Sequence, residues 1–232
     1  MQAAAGPDAG RPVTPSVPEG SGSPGRTLGM FPLATVLFPM AGLPLHVFEP
    51  RYRALMADCL DRDGTFGVVL ITRGSEVGGG DQRVDVGTVA RIDEVAELDD
   101  GRMVVVAHGV HRVRVDRWLT DAPYPRAVVE DFPVAPEGPN DPALATAEAA
   151  VRRLRSLLSE LGDVPALAHD LVLDGGNEDV GWQLCELAPL NLVDRQRLLA
   201  SAGLEARLDL LAELCDAMAD DVVALLAGGF DD

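Results

Sequence analysis

Lysine is absent from the sequence, and all 19 basic residues are arginine. Without lysine there is no side chain for a P-loop phosphate contact, a Ser-Lys peptidase dyad or a Schiff base. Arginine stays protonated and cannot act as base or nucleophile in its place. Positive charge is scarce altogether. The net charge is -18, which argues against nucleic acid as a partner, because phosphate contacts need clustered cations. The same charge disfavours an anionic membrane surface.

Cysteine is also sparse. Cys59, Cys185 and Cys215 form no CxxC pair and no even set, so they read as buried, reduced thiols of a cytoplasmic protein. The N-terminus has no basic segment followed by an apolar one, so no secretory signal is expected. Residues Met30 to Phe48 carry no Asp, Glu or Arg, but Pro32, Pro39 and Pro44 interrupt them too often for a membrane helix.

Ten of the first 26 residues are Pro or Gly, a composition that cannot offset the entropy of ordering, so residues 1–26 are expected to form a disordered tail. Residues 27–134 carry mostly strand signals. Val36–Phe38 and Leu43–Val47 read as short extended pieces, and Phe66–Thr72 as a strand buried on both faces. Asp99-Asp100-Gly101 between two apolar runs predicts a hairpin. In the strand that follows, Val113 and Val115 point one way while Arg112 and Arg114 point to water. One helix interrupts the strands. Tyr52, Leu55, Met56, Cys59 and Leu60 recur at helical spacing after Glu49-Pro50, and Asp63-Gly64 ends it. Many short strands with one inserted helix suggest a small barrel-like β domain.

Pro133–Pro142 reads as a linker, and residues 140–232 as a helical bundle. Asp141-Pro142 and Asn177 are its expected helix starts, and His169 is expected on a short helix. Leu204, Leu208, Leu211, Cys215, Met218, Val222 and Leu225 form the seam of the last helix. This half holds 18 acidic residues against 6 arginines, so its exposed faces are strongly acidic. The expected class is therefore α+β.

Chemistry-bearing patterns are weak. His108-Gly109-Val110-His111 lacks the glutamate of HExxH, and on a strand–turn–strand its rings need not converge. His46, among apolar strand residues, is expected to be half-buried. No local signature joins a cysteine to a histidine. Gly78-Gly79-Gly80 lacks the ending of a P-loop, and Asp174–Asp179 fails the EF-hand spacing. No catalytic residue, metal ligand or cofactor is expected.

Five blocks carry a family resemblance: Phe31–Leu60, Phe66–Ile71, Gly87–Val95, the hairpin GRMVVVAHGVHRVRV and Glu186–Leu211. In this order they resemble the N-terminal, substrate-binding domain of Lon proteases, and more closely its free-standing bacterial form. Two departures are visible: the glycine after the FP pair is displaced in FPMAG (Phe38–Gly42), and Arg195-Gln196 stands where Lys-Gln is usual. The resemblance implies a PUA-like pseudo β-barrel followed by a helical bundle. It also implies a non-enzymatic module for unfolded or tagged protein segments, with a Lon-type protease as partner. The alternative it leaves open is RNA binding, for which Arg112, Arg114 and Arg117 would form the local patch. His46, Phe48, Arg51 and Arg53, around the Glu49-Pro50 turn, are the candidate peptide-binding residues. The two arginines lie off the apolar stripe of the helix, where they serve either an acidic partner or pairing with Glu49 and nearby acids.

Overall fold

Seven strands and five helices occupy residues 25–73, 82–132 and 141–228, the residues that the computed structural model describes. They run β1 (Arg26–Leu33), β2 (Gly42–Val47), α1 (Pro50–Leu60), β3 (Thr65–Arg73), β4 (Gln82–Arg83), β5 (Val86–Glu97), β6 (Met103–Trp118) and β7 (Arg126–Asp131), then α2 (Asp141–Leu161), α3 (Asn177–Leu187), α4 (Leu192–Leu199) and α5 (Leu204–Gly228). One helix sits among the strands and four follow them, giving a mixed α+β fold. Residues 1–24 of the tail expected over 1–26, the Gly78-Gly79-Gly80 loop and most of the expected linker lie outside the described residues, whereas Arg26, expected in that tail, opens β1 opposite Val129 of β7.

The Asp99-Asp100-Gly101 turn forms as its chemistry dictates. Gly101 takes φ 76°, a region that suits glycine, and the Leu98 N–H donates to the Arg102 carbonyl at 2.8 Å. β5 and β6 pair across it. The hydrogen-bonded order is β1-β7-β6-β5-β3-β4, with β2 added on β6. β1 also pairs in parallel with β3, from Met30 opposite Gly67 to Leu33 opposite Leu70, so the path from β1 through β7, β6, β5 and β3 returns to β1.

Because side chains alternate across a strand, β1 and β3 feed two cores. Met30, Val69, Val89, Val113 and Val129 fill one side. Phe31, Leu33, Phe66 and Val68 face the other, where Tyr52, Leu55, Met56 and Cys59 of α1 cover them. Phe66–Leu70 is buried throughout, the pattern of a strand covered on both faces.

A third core joins the strands to the helices. Val36, Phe38 and Leu70 pack with Val151, Leu154, Trp182, Leu198, Leu208 and Leu211. Phe38 and Trp182 stack with centroids 5.6 Å apart. Polar contacts follow the same seam: Gln196 Nε2 donates to the Val86 carbonyl at 3.0 Å and Arg195 to that of Val36 at 3.3 Å.

Several local expectations need correction. Val36–Phe38 pairs with no described strand. It is a buried connector whose alternating side chains serve different cores, Val36 and Phe38 the helices and Leu37 the α1 side. Thr88 holds it by donating its hydroxyl to the Leu37 carbonyl at 2.5 Å. Arg112 is not on a wet face but 4% exposed, because the helices cover that side of β6. His108 and His111 lie on one continuous strand. The chain bulges between them, with Val89 opposite His111 and Ala90 opposite Gly109. There a Cβ on Gly109 would stand 2.2 Å from the Phe38 carbonyl oxygen. Gly176 rather than Asn177 precedes α3 as its N-cap, and its N–H is accepted by Asp179. His169 sits in a turn, not a helix. The seam of α5 is buried at Leu204, Leu208, Leu211, Cys215 and Val222, whereas Leu225, one turn from its end, is 67% exposed.

Candidate functional site

β2 alternates cleanly. Leu43, Leu45 and Val47 face the core, and Gly42, Pro44 and His46 face outward. The chain then turns at Glu49, whose extended backbone (φ -70°, ψ 134°) precedes Pro50 in the first turn of α1. Proline suits that position, since its missing N–H would have no intrahelical partner. The Glu49 carbonyl takes the N–H groups of Tyr52 and Arg53 at 3.1 and 3.0 Å. The turn delivers Tyr52 onto Phe31 of β1, ring on ring at 4.0 Å and 11°.

Between these elements lies a groove enclosing about 160 Å³. Phe31 and Leu33 line it from β1, Pro44 to Val47 from β2, and Phe48, Glu49 and Tyr52 from the turn and α1. Phe48 is 57% exposed. A large aromatic standing free beside an apolar groove is the arrangement that protein contacts use.

The four candidate residues separate here. His46 and Phe48 line the groove, and His46 is exposed rather than half-buried. Its outward position in β2 is the reason. Arg51 lies at the rim, with Nε donating to Glu49 at 3.0 Å and its guanidinium 4.5 Å from the centre of the Tyr52 ring. In this structure its charge pairs with Glu49. Arg53 turns away toward the β5–β6 hairpin, where a Cβ on Gly101 would meet its Nη2 at 3.0 Å. Phe31 and Leu33 were not legible as site residues, because nothing local in the sequence brings β1 beside β2 and α1, and Tyr52 was read only as part of the apolar stripe of the helix.

A larger cavity of about 310 Å³ opens between Arg26, Leu55, Asp58, Arg62, Thr65 and Tyr124. Several of its polar groups already have partners. The Tyr124 hydroxyl donates to Asp58, and burial, with that bond, pushes its pKa to about 12. Arg26 pairs with Asp131 and His111. The apolar groove is the stronger candidate because Phe48, a large ring 57% exposed, stands at its edge.

The histidine, cysteine and arginine patterns separate among the described residues. His108 bonds Asp93 at 2.8 Å, while His111 faces Arg26 and Asp131, so the two rings share no partner. No group of three or more potential metal ligands occurs among the described residues. Burial pushes the Cys59, Cys185 and Cys215 thiols from 9.0 to about 12, which removes nucleophilic thiolate at neutral pH. The arginine patch does not assemble either. Arg112 is buried, Arg114 lies over Phe132 at 5.0 Å, and Arg117 pairs with Asp116 at 2.7 Å. No helix among the described residues is long and apolar enough to cross a membrane.

Comparison with known proteins places this geometry. The family model of the ATP-dependent protease La (LON) substrate-binding domain matches residues 27–217. A Lon protease of Koribacter versatilis is 32% identical over 194 residues, covering 79% of this chain and 23% of that protein. Lon protease 2 of Myxococcus xanthus is 28% identical over 195 residues, with coverage of 82% and 23%. The chain thus spans 23% of the length of these curated relatives. Among solved structures, a Lon N-terminal domain protein from Xanthomonas campestris aligns with a TM-score of 0.60 at 28% identity, over 81% of this chain and 98% of that one. The N-terminal domain of a Mycobacterium avium complex Lon protease aligns at 0.58 with 16% identity, over 82% and 98%, a likeness of fold.

Proposed function

The chain belongs to the Lon substrate-binding domain family, and from that membership we propose that it is a non-enzymatic module that binds unfolded or tagged protein segments. Its role is that of an adaptor in cytoplasmic protein quality control, with a Lon-type protease as partner. The observation that carries this reading is the extent of the match. Residues 27–217 reach from β1 far into α5, so the groove at the β2–α1 turn lies inside the substrate-binding module. The absence of lysine agrees with it, since neither a P-loop lysine nor a Ser-Lys dyad is available.

The return of the strand path to β1 supports reading the β part, residues 27–134, as a PUA-like pseudo-barrel. Residues 140–232 then form a helical bundle docked on it. In this arrangement the groove is the peptide site, with His46 and Phe48 at its edges and the Arg51–Glu49 pair at its rim.

The test uses unfolded casein. The purified chain should bind it in fluorescence anisotropy, should leave native globular proteins unbound, and should neither cleave casein nor hydrolyse ATP. Absence of binding to unfolded casein overturns the reading. So does turnover that survives purification and disappears in a point mutant.

A further inference from the structure

The geometry points to strand addition as the way this groove takes its ligand: an extended, uncharged or basic client segment pairs its backbone with the free edge of β2. The inference rests on the peptide-binding reading above and specifies its chemistry.

β2 pairs with β6 on one side only. The direction of its backbone groups follows from the ladder. The Ala41 carbonyl takes the Gly109 N–H at 2.9 Å just before β2 begins, and continuing that parity along the register turns the odd-numbered residues of β2 toward β6. The even-numbered ones, Gly42, Pro44 and His46, form the alternate pairs, whose N–H and C=O groups point away from the partner strand. Pro44 opposite Val106 fits this parity, since proline has no N–H to give the ladder. The outward edge therefore offers the N–H groups of Gly42 and His46 and the carbonyls of all three. All three residues are exposed. No described strand pairs with that edge.

The groove borders this edge, so side chains of an added strand would meet the Phe31–Tyr52 floor. A helix is about 10 Å across, and a groove of about 160 Å³ takes side chains, not a helix. Two features choose a client over a second copy. Pro44 withdraws a donor from the middle of the edge, the device by which edge strands resist pairing with their own kind. The net charge of -18 repels a second copy and draws neutral or basic segments.

The experiment uses the full chain and a labelled twelve-residue peptide alternating valine and threonine, with an arginine at each end. N-methylation of alternate residues in the peptide removes donors from one edge at a time. Methylating one alternate set should weaken binding at least tenfold, and methylating the other less than twofold, the signature of an added strand. Replacing the terminal arginines by glutamates should weaken binding about tenfold at low salt, with the difference shrinking at high salt. His46→Pro removes an outward donor without touching the β6 ladder and should cost about tenfold in affinity at an unchanged urea midpoint. Should that midpoint fall, the methylation arm alone decides. Equal effects of the two methylated sets, with the peptide still bound, overturn strand addition while leaving the peptide-binding reading intact. A chain that is dimeric by light scattering, and made monomeric by His46→Pro, overturns it in favour of self-pairing.

Discussion

The Arg112 guanidinium of β6 donates to the Leu199 carbonyl at the end of α4 across 2.9 Å. The same nitrogen reaches the Ser201 carbonyl at 2.6 Å, and the Phe132 ring lies 4.1 Å beneath the charge. A buried strand arginine thus closes the last turn of a helix 87 residues away. The carbonyls at a helix end have no intrahelical donors of their own, so the strand supplies what the helix cannot.

Arg112→Met should therefore destabilise the protein by about 3 kcal/mol, the cost of hydrogen bonds from a charged donor plus two stranded acceptors. Arg112→Lys should recover little, because a single ammonium does not reproduce the planar fork. Urea denaturation measures both. A loss under 1 kcal/mol for the methionine variant would show that water replaces the clamp.

The same seam predicts how the two halves behave apart. Val36, Phe38 and Leu70 sit in one core with residues of α2 to α5, so a fragment of residues 141–232 would expose the surface that packs on Phe38. Such a fragment should unfold without a cooperative transition, whereas the chain cut between residues 132 and 141 but left associated should retain one. Circular dichroism against urea distinguishes them. A sharp transition in the isolated helical fragment would mean that the shared core is dispensable.

Where the sequence pattern is local, it was legible. The Asp-Gly turn fixed the β5–β6 hairpin, the 3.6 periodicity located α1, and the leucine seam of α5 held as far as Val222. What escaped depends on contacts far along the chain. Alternation places Arg112 opposite Val113, yet only the covering helices decide that its face is dry. Arg207 escaped for the same reason. It is fully buried, with its guanidinium carbon 3.5 Å from the centre of the Trp182 ring and Nη2 2.8 Å from Glu178, and nothing in its helical neighbours announces that. At the groove, His46 and Phe48 could be named from the Glu49-Pro50 turn itself. Phe31 could not, because a parallel pairing across more than thirty residues has no local signature.

The raised thiols and Tyr124 give stability a definite alkaline limit. Burial holds the three cysteines at about 12 instead of 9.0, and Tyr124 at about 12 instead of 10.0. Above the ordinary values the unfolded chain releases these protons and the folded one keeps them, so the unfolded state binds fewer protons. Stability then falls as pH rises. The urea midpoint should be level with respect to these groups below pH about 9 and should decline between about 9 and 12. Native protein at pH 8 should also resist iodoacetamide at all three cysteines, with mass spectrometry as the readout. Rapid alkylation of any one of them in the native state would contradict its burial.

The β2–α1 corner sets an exposed ring and a buried leucine within eight residues of each other. Phe48 stands 57% exposed at the groove, whereas Leu55 is 1% exposed and packs in the core between α1 and the strands. Truncating Leu55 to alanine opens a cavity and should cost about 2–5 kcal/mol, while the protein that remains folded keeps its affinity for unfolded casein. Phe48→Ser removes an exposed ring and should leave stability within about 0.5 kcal/mol, yet weaken casein binding about tenfold if the ring is an anchor of the kind that dominates protein contacts. Arg51→Glu falls between them. It breaks the 3.0 Å pair with Glu49 and sets two carboxylates side by side, so about 1 kcal/mol of stability should be lost, the scale of a partly exposed ion pair. Casein anisotropy and urea midpoints on the three variants give a pattern that no single role for this corner reproduces. If Phe48→Ser binds casein as the parent does, the groove is not the binding site, and the exposed ring needs another explanation.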